Sequence, residues 1–195
     1  ETRDGGYVFT GTTARVSGRN DVLLTKTDQD GRKQWERIFG GMYEDGGYSV
    51  QQTTGGGYII AGFTYSEGKG SNDVWLIKTN PEGNKEWSKT YGAHRKECGH
   101  SVQQTFDGGF IIAGLTSSED SGRFDALLIK TDARGNEQWK NSYGGVGSDF
   151  ARCVQQTKDG GYVFVGSFYC VGFQQDNIWL AKINPFGKLE WQKTY

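Results

Sequence analysis

Four tryptophans recur at one interval. Trp35, Trp87, Trp139 and Trp191 stand 52 residues apart, and a period of ~40–50 residues made of several short segments marks a stacked repeat of the propeller kind. Other columns keep the same register. Lys26, Lys78, Lys130 and Lys182 share one slot, and Gly31, Gly83, Gly135 and Gly187 share another. A di-glycine followed by an aromatic residue stands at Gly5-Gly6-Tyr7, Gly56-Gly57-Tyr58, Gly108-Gly109-Phe110 and Gly160-Gly161-Tyr162. "SVQQT" begins at Ser49 and Ser101, and "CVQQT" at Cys153.

Each unit reads as four strand-like pieces: "SVQQT", "GYIIAGFT", "DVWLIKT" and "EWSKTYG". None carries a sustained 3.6-residue apolar period, so the sequence predicts no helix. The turn between the third and fourth pieces opens on Asp or Asn and has Gly three residues on, the chemistry of a tight hairpin. Both prolines, Pro81 and Pro185, fall in this turn. A single four-stranded sheet of this size cannot cover its own faces. Sheets packed face to face can, with the recurring Trp between neighbours. The expectation is an all-β propeller of four-stranded antiparallel blades. Its boundaries fall at about 1–40, 41–92, 93–144 and 145–195.

Composition supports order over disorder. Mean hydropathy is low at −0.67, which taken alone points to a disordered chain. Six Trp, ten Tyr and eleven Phe at fixed intervals supply the large apolar surfaces of a core instead. A net charge of −1 gives no field to gather nucleic acid or anionic lipid. No apolar run approaches the ~20 residues that span a bilayer. The three cysteines form no CxxC and no ligand spacing, so a disulfide framework is not expected.

The run Lys-Thr-Asp/Asn-x-x-Gly-x-x-x-Trp resembles the blades of quinoprotein-type and Kelch-like propellers. The fuller form, from the di-glycine through "SVQQT", is similar to a repeat of large secreted or surface proteins of bacteria and archaea. That resemblance covers almost the whole chain. It implies an innermost first strand, an outermost fourth strand, ligands at the face or mouth of a central channel, and an extracellular or cell-surface location. It implies no single activity, because propellers host enzymes, lectins and scaffolds. Nothing in this sequence matches the residues with which quinoproteins hold their quinone, such as vicinal cysteines.

Aligned by slot, Glu1-Thr2 falls where Gln156-Thr157 stand, and Tyr195 where Tyr143 stands. The first unit is therefore expected to lack its innermost strand. The chain reads as part of a longer propeller, as a four-bladed ring, or as half of an eight-bladed ring closed by two copies. A blade short of one strand has an edge that accepts a strand from another chain.

Residues that escape the repeat are the candidates for function. "GAHRKECGH" carries His94, Arg95 and His100 before the third unit's first strand, and Arg152 precedes the fourth's. Tyr65, Phe124, Tyr169 and Phe173 flank the variable loops and could stack on sugar rings. The recurring lysine is expected to pair with a carboxylate, with Asp45, Glu97 and Asp149 as the partners. The same acids offer calcium one carboxylate per unit, for an ion that takes ~6–8 oxygens. No other cofactor is expected. The chain contains no G-x-S-x-G, no HExxH and no P-loop.

Taken together, the sequence points to a non-catalytic binding or scaffold module for protein or glycan partners. The alternatives are part of a glycan-active or quinoprotein-like enzyme, and a structural subunit of an assembly.

Overall fold

The strands of each repeat are lettered A to D in the order of its four pieces, and each C–D hairpin turn closes in one way. In a computed structural model describing residues 1–14, 19–69, 71–92, 94–117, 123–170 and 175–195, the Asp132 carboxylate accepts the Arg134 and Asn136 amides at 2.8 Å. Gly135 follows at φ 76°, a left-handed conformation that glycine adopts without strain. The turns at Asp28, Asn80 and Asn184 repeat the bond from the fourth residue on. A bulge follows each turn, where strand D skips Gln34, Glu86, Gln138 or Glu190 opposite the Lys-Thr or Lys-Ile step of strand C.

The strands are β1 (Tyr7–Ala14), β2 (Asn20–Thr27), β3 (Lys33–Phe39), β4 (Asp45–Gln52), β5 (Tyr58–Thr64), β6 (Asp73–Thr79), β7 (Lys85–Tyr91) and β8 (Glu97–Gln104). They continue with β9 (Phe110–Ser117), β10 (Phe124–Thr131), β11 (Glu137–Tyr143), β12 (Phe150–Gln156), β13 (Tyr162–Cys170), β14 (Gln175–Ile183) and β15 (Leu189–Thr194). Within each sheet the strands pair antiparallel with their sequence neighbours. They make one three-stranded sheet, β1–β3, and three four-stranded sheets, β4–β7, β8–β11 and β12–β15. The described residues contain no helix, and no helix among them is long and apolar enough to cross a membrane.

Two units result, Glu1–His94 and Arg95–Tyr195, each with two sheets. In the first, Val22 and Leu24 of β2 pack against Tyr58, Ile60, Trp75 and Ile77 of the neighbouring sheet. In the second, Ala126 and Leu128 of β10 pack against Tyr162, Phe164, Trp179 and Ala181. The tryptophan column does the joining. Trp35 meets Tyr58 edge to face with centroids 5.7 Å apart, and Trp139 meets Tyr162 at 5.9 Å. Each such pair adds ~0.5–1.5 kcal/mol beyond its buried area.

The lysine column pairs with carboxylates other than those the sequence suggested. Lys26 bonds Asp4, Lys130 bonds Asp107, and Lys182 bonds Asp159 and Glu190 at 2.8–3.0 Å; Lys78 bonds Glu86 at 2.9 Å. These acids lie in the A–B turn and on strand D, so the ammoniums of Lys26, Lys130 and Lys182 tie turn, strand C and strand D together, and that of Lys78 ties strand C to strand D. Lys130 also donates to the Thr131 carbonyl at 2.8 Å and to Gln138 Oε1 at 3.0 Å, which uses all three of its protons. This accounts for the second glycine of the di-glycine. A Cβ on Gly109 would lie 2.1 Å from the Thr131 carbonyl oxygen and 2.8 Å from Lys130 Nζ.

Asp45, Glu97 and Asp149 have a different task. Each is buried at or before the first residue of β4, β8 or β12. Asp45 accepts the Gly41 amide at 2.9 Å, the Ser66 hydroxyl at 2.7 Å, and the Thr64 hydroxyl. Asp149 accepts the amides of Gly145 at 2.7 Å and Tyr169 at 2.8 Å. Glu97 accepts Thr116 Oγ1 at 2.9 Å and Lys140 Nζ at 2.8 Å. Asp45 and Asp149 each fasten the loop that enters their strand to residues at the far end of the next strand.

Candidate binding surface at the strand bulges

Strands β4, β8 and β12 start earlier than the "SVQQT" pattern suggests, and each contains a bulge. Pairing with the neighbouring strand skips one residue between Gly47 and Ser49, between Gly99 and Ser101, and between Ala151 and Cys153. The skipped residues are Tyr48, His100 and Arg152. A bulge holds one residue outside the ladder and re-aims its side chain. These three occupy one slot of the repeat, yet they are an aromatic, an imidazole and a guanidinium. The flanking positions hardly change. Strand pairing fixes the neighbours and leaves the bulged residue free to vary.

In the first unit, Tyr48 is 55% exposed. Its ring lies 5.7 Å from that of Phe63, which stands 5.9 Å from Tyr65 in an edge-to-face pair. Arg19 lies over Tyr43 at 5.3 Å and donates to the Met42 carbonyl. Arg19, Tyr43, Glu44 and Tyr65 line a cleft of about 500 Å³. The loops that carry Tyr43 and Tyr65 are joined by the Tyr65 amide donating to the Glu44 carbonyl at 3.0 Å. The Ser66 hydroxyl further bridges the Tyr43 backbone and the Asp45 carboxylate. The aromatic rings thus sit on loops that are already fastened.

In the second unit, His100 lies within β8 rather than in the preceding loop, because that strand begins at Glu97. Its Nδ1 is 3.2 Å from the Ala151 carbonyl, and Nε2 is 3.4 Å from the Arg152 guanidinium. Burial pushes the imidazole below its usual value of 6.5, and the Arg152 charge acts in the same direction. Nδ1 is therefore the donor to Ala151, and Nε2 presents a lone pair at neutral pH. Arg152 also lies over Phe150 at 5.0 Å, and Phe150 is 5.9 Å from Phe124. This surface therefore brings together Phe124, Arg152 and His100.

The other sequence candidates are placed apart from these clusters. His94 is exposed at the end of the first unit, and Arg95 is half-buried at the start of the second. Tyr169 is half-buried over Gly147, where a Cβ would meet its ring at 2.5 Å. Phe173 lies outside the described residues. Among the described residues, no three His, Cys, Asp or Glu side chains gather as a metal-binding group. A second cleft of about 590 Å³ lies at the turn end of the second unit, with Phe106 and Phe186 on its rim. Its polar groups bond one another, as in the Phe106 amide to Gln156 Oε1 at 2.8 Å.

Tyr43, Tyr48, Phe63, Arg19 and Phe150 were not singled out in the sequence. Tyr48 had a visible signal, since it shares a column with His100 and Arg152.

No family model matches the chain. It is 26% identical over 189 residues to the regulatory protein FlaEY of Caulobacter vibrioides, an alignment covering 85% of this chain and 20% of that protein. The chain thus spans about a fifth of the length of that relative. Among solved structures, a protein of unknown function from Bacteroides caccae aligns with a TM-score of 0.37 at 12% identity, covering 94% of this chain and 80% of that one.

Proposed function

We propose that the four sheets are blades of a propeller, and that the chain is a non-catalytic binding module of a secreted or cell-surface protein. Its ligand is a glycan, held by the bulged residues and the aromatic rings beside them. The observation that carries this reading is the bulge column. Its residues differ from repeat to repeat while their immediate neighbours stay small, and it offers a ring or a hydrogen-bonding cation in each place. The Tyr48–Phe63–Tyr65 array gives flat apolar faces, while Arg19 and Glu44 supply donors and acceptors beside it. That mixture suits a pyranose ring, which is apolar on its faces and hydroxylated at its edge. Calcium, with Asp45, Glu97 and Asp149 as its acids, is a weaker companion proposal, since those carboxylates already accept protein donors.

The test is a glycan array followed by calorimetry on the best oligosaccharide. Binding that falls at least tenfold in Tyr65→Ala and Tyr48→Ala, with the circular dichroism spectrum unchanged, supports the reading. The absence of any glycan bound above background, or binding indifferent to both substitutions, overturns it.

A further inference from the structure

The cleft at the turn end of the second unit has a lining that the first unit repeats almost entirely. Asp107, Lys130, Gln138, Trp139, Tyr162 and Pro185 surround it, with Phe106 and Phe186 at the rim. The first unit has Asp4, Lys26, Gln34, Trp35, Tyr58 and Pro81 in the same slots. The ion pair and the edge-to-face aromatic pair recur with them. Only the rim breaks the match. Phe106 and Phe186 stand where the first unit has Arg3 and Glu82. The remaining copies of these slots are Thr54 and Lys158 in the A–B turn and Asp30 and Arg134 in the C–D turn, all of them polar.

Packing accounts for neither phenylalanine. Phe106 is 76% exposed and Phe186 is 82% exposed. Turn tips face solvent even where a further sheet follows, since Arg134 is exposed although the next sheet packs on its own. The two phenylalanines come from different sheets and distant parts of the chain, yet both border one cleft. Single apolar residues on a surface are ordinary, but apolar residues that converge mark a place of contact.

The cleft holds about 590 Å³, within the ~300–1,000 Å³ of ligand sites. Polar groups meet below the phenyl rings. Tyr162 is 2% exposed, and its hydroxyl has no hydrogen-bond partner among the described residues. Burial, and then the Asp107 charge, push this hydroxyl up to about 12, so it stays protonated and is a donor. Gln138 is the residue skipped by the strand D bulge. Its Oε1 accepts from Lys130, which leaves its amide nitrogen to donate outward. Asp107 accepts from Lys130, the Thr105 hydroxyl and the Gly109 amide, so one of its roughly four lone-pair sites stays open. Lys130 and Asp107 cancel one another at 2.8 Å. With phenylalanine in the slots of Arg3 and Glu82, the rim adds no charge.

We infer that this cleft is a second binding site, and that it takes a neutral pyranose ring between Phe106 and Phe186. The two faces of the sugar lie on the phenyl rings. Its edge hydroxyls accept from Tyr162 and Gln138 and donate to Asp107. An apolar peptide side chain would cover the rings equally, but it would strip water from those three groups and give nothing back. An ion would find no uncompensated charge of opposite sign. The site lies at the other end of β8 and β12 from the bulges, and it shares only the class of ligand with the proposed function.

NMR titration of the isotope-labelled chain with the methyl glycosides of glucose, galactose, mannose and N-acetylglucosamine tests it. The reporter is the indole N–H of Trp139, which donates to the Pro185 carbonyl at 3.1 Å on the edge of the cleft. At least one glycoside is expected to shift this signal saturably. Phe106→Thr and Phe186→Glu each install a residue that another repeat carries in the same slot, so the fold is kept, and each is expected to weaken binding at least tenfold. Tyr162→Phe matches Phe110 in that slot and removes only the hydroxyl; it is expected to weaken binding severalfold. A Trp139 signal unmoved by all four sugars overturns the inference, and so does binding indifferent to any of the three substitutions. N-acetylphenylalanine amide binding more tightly than the sugars also overturns it, in favour of an apolar peptide. The signal is local to this cleft, so a bulge surface that binds no glycan leaves the result here standing, and the converse holds.

Discussion

Lys78 Nζ bonds Glu86 Oε2 at 2.9 Å, in the repeat whose A–B turn has Gly55 where the others have Asp4, Asp107 and Asp159. The buried ammonium keeps a carboxylate partner, but the acid has moved from the turn to strand D. In the first and third repeats the strand D position is Gln34 or Gln138, and the turn carries the charge. The fourth repeat has both acids. What persists through the repeats is neutralisation of the lysine, since a nearly buried cation left unpaired is costly.

Gly55→Asp should therefore stabilise the protein. Nothing lies within 4 Å of a Cβ at this position, and Lys78 is within reach, as Lys130 is of Asp107. Replacing glycine at an unstrained position contributes ~0.4–1 kcal/mol through the unfolded chain alone. Urea denaturation is expected to show a higher midpoint. In the Gly55→Asp background, Glu86→Gln should cost less than it does in the wild type, and a double-mutant cycle measures that coupling.

Acid should loosen the turns through the same carboxylates. The Thr157 hydroxyl, then Lys182 and the Gly161 amide, hold Asp159 down at about 2 from 3.8. Lys26 and the Thr2 hydroxyl likewise lower Asp4. A lowered carboxyl binds fewer protons folded than unfolded, so its contribution is complete above 3.8 and is lost as pH falls towards about 2. Denaturation midpoints should fall through that window, and Asp159→Asn should flatten its share of the slope.

The repeat was legible because packing demands the same residues at the same intervals. Trp35 and Trp139 had to meet an aromatic of the next sheet, and Asp132 with Gly135 had to turn the hairpin. Those requirements are local or strictly periodic, so they show as columns. The lysine partner was not legible, since two acids at different distances in sequence meet one ammonium in space. Nor was the bulge. Tyr48, His100 and Arg152 form a column only when unlike residues are compared by slot, and the skipped pairing that unites them is a property of the backbone. The contacts among Arg19, Tyr43 and Tyr65 join loops that have no periodic constraint.

The cysteines should separate by reactivity. Cys98 is 7% exposed, and burial pushes its thiol up to about 12, so little thiolate forms at neutral pH. Cys153 is exposed on β12. Iodoacetamide at pH 7.5 followed by peptide mapping should find Cys153 alkylated and Cys98 intact. Both should react once urea unfolds the chain. Early modification of Cys98 would mean that β8 opens below the global transition.

Gly109→Ala tests the knot around Lys130 from the backbone side. The added methyl would stand 2.1 Å from the Thr131 carbonyl oxygen, an atom fixed by the β9–β10 ladder. It would also crowd Lys130 Nζ at 2.8 Å, and that group cannot retreat without leaving Asp107 and Gln138. Either the turn shifts and breaks the ion pair, or the ladder opens at Thr131. Both routes place the substitution among the severe single changes, at ~3 kcal/mol or more. Gly55→Ala, at a turn position with open space around it, should cost nothing or stabilise slightly. A pair of urea curves showing equal effects at Gly109 and Gly55 would mean that the di-glycine is retained for turn flexibility rather than for the approach of the lysine.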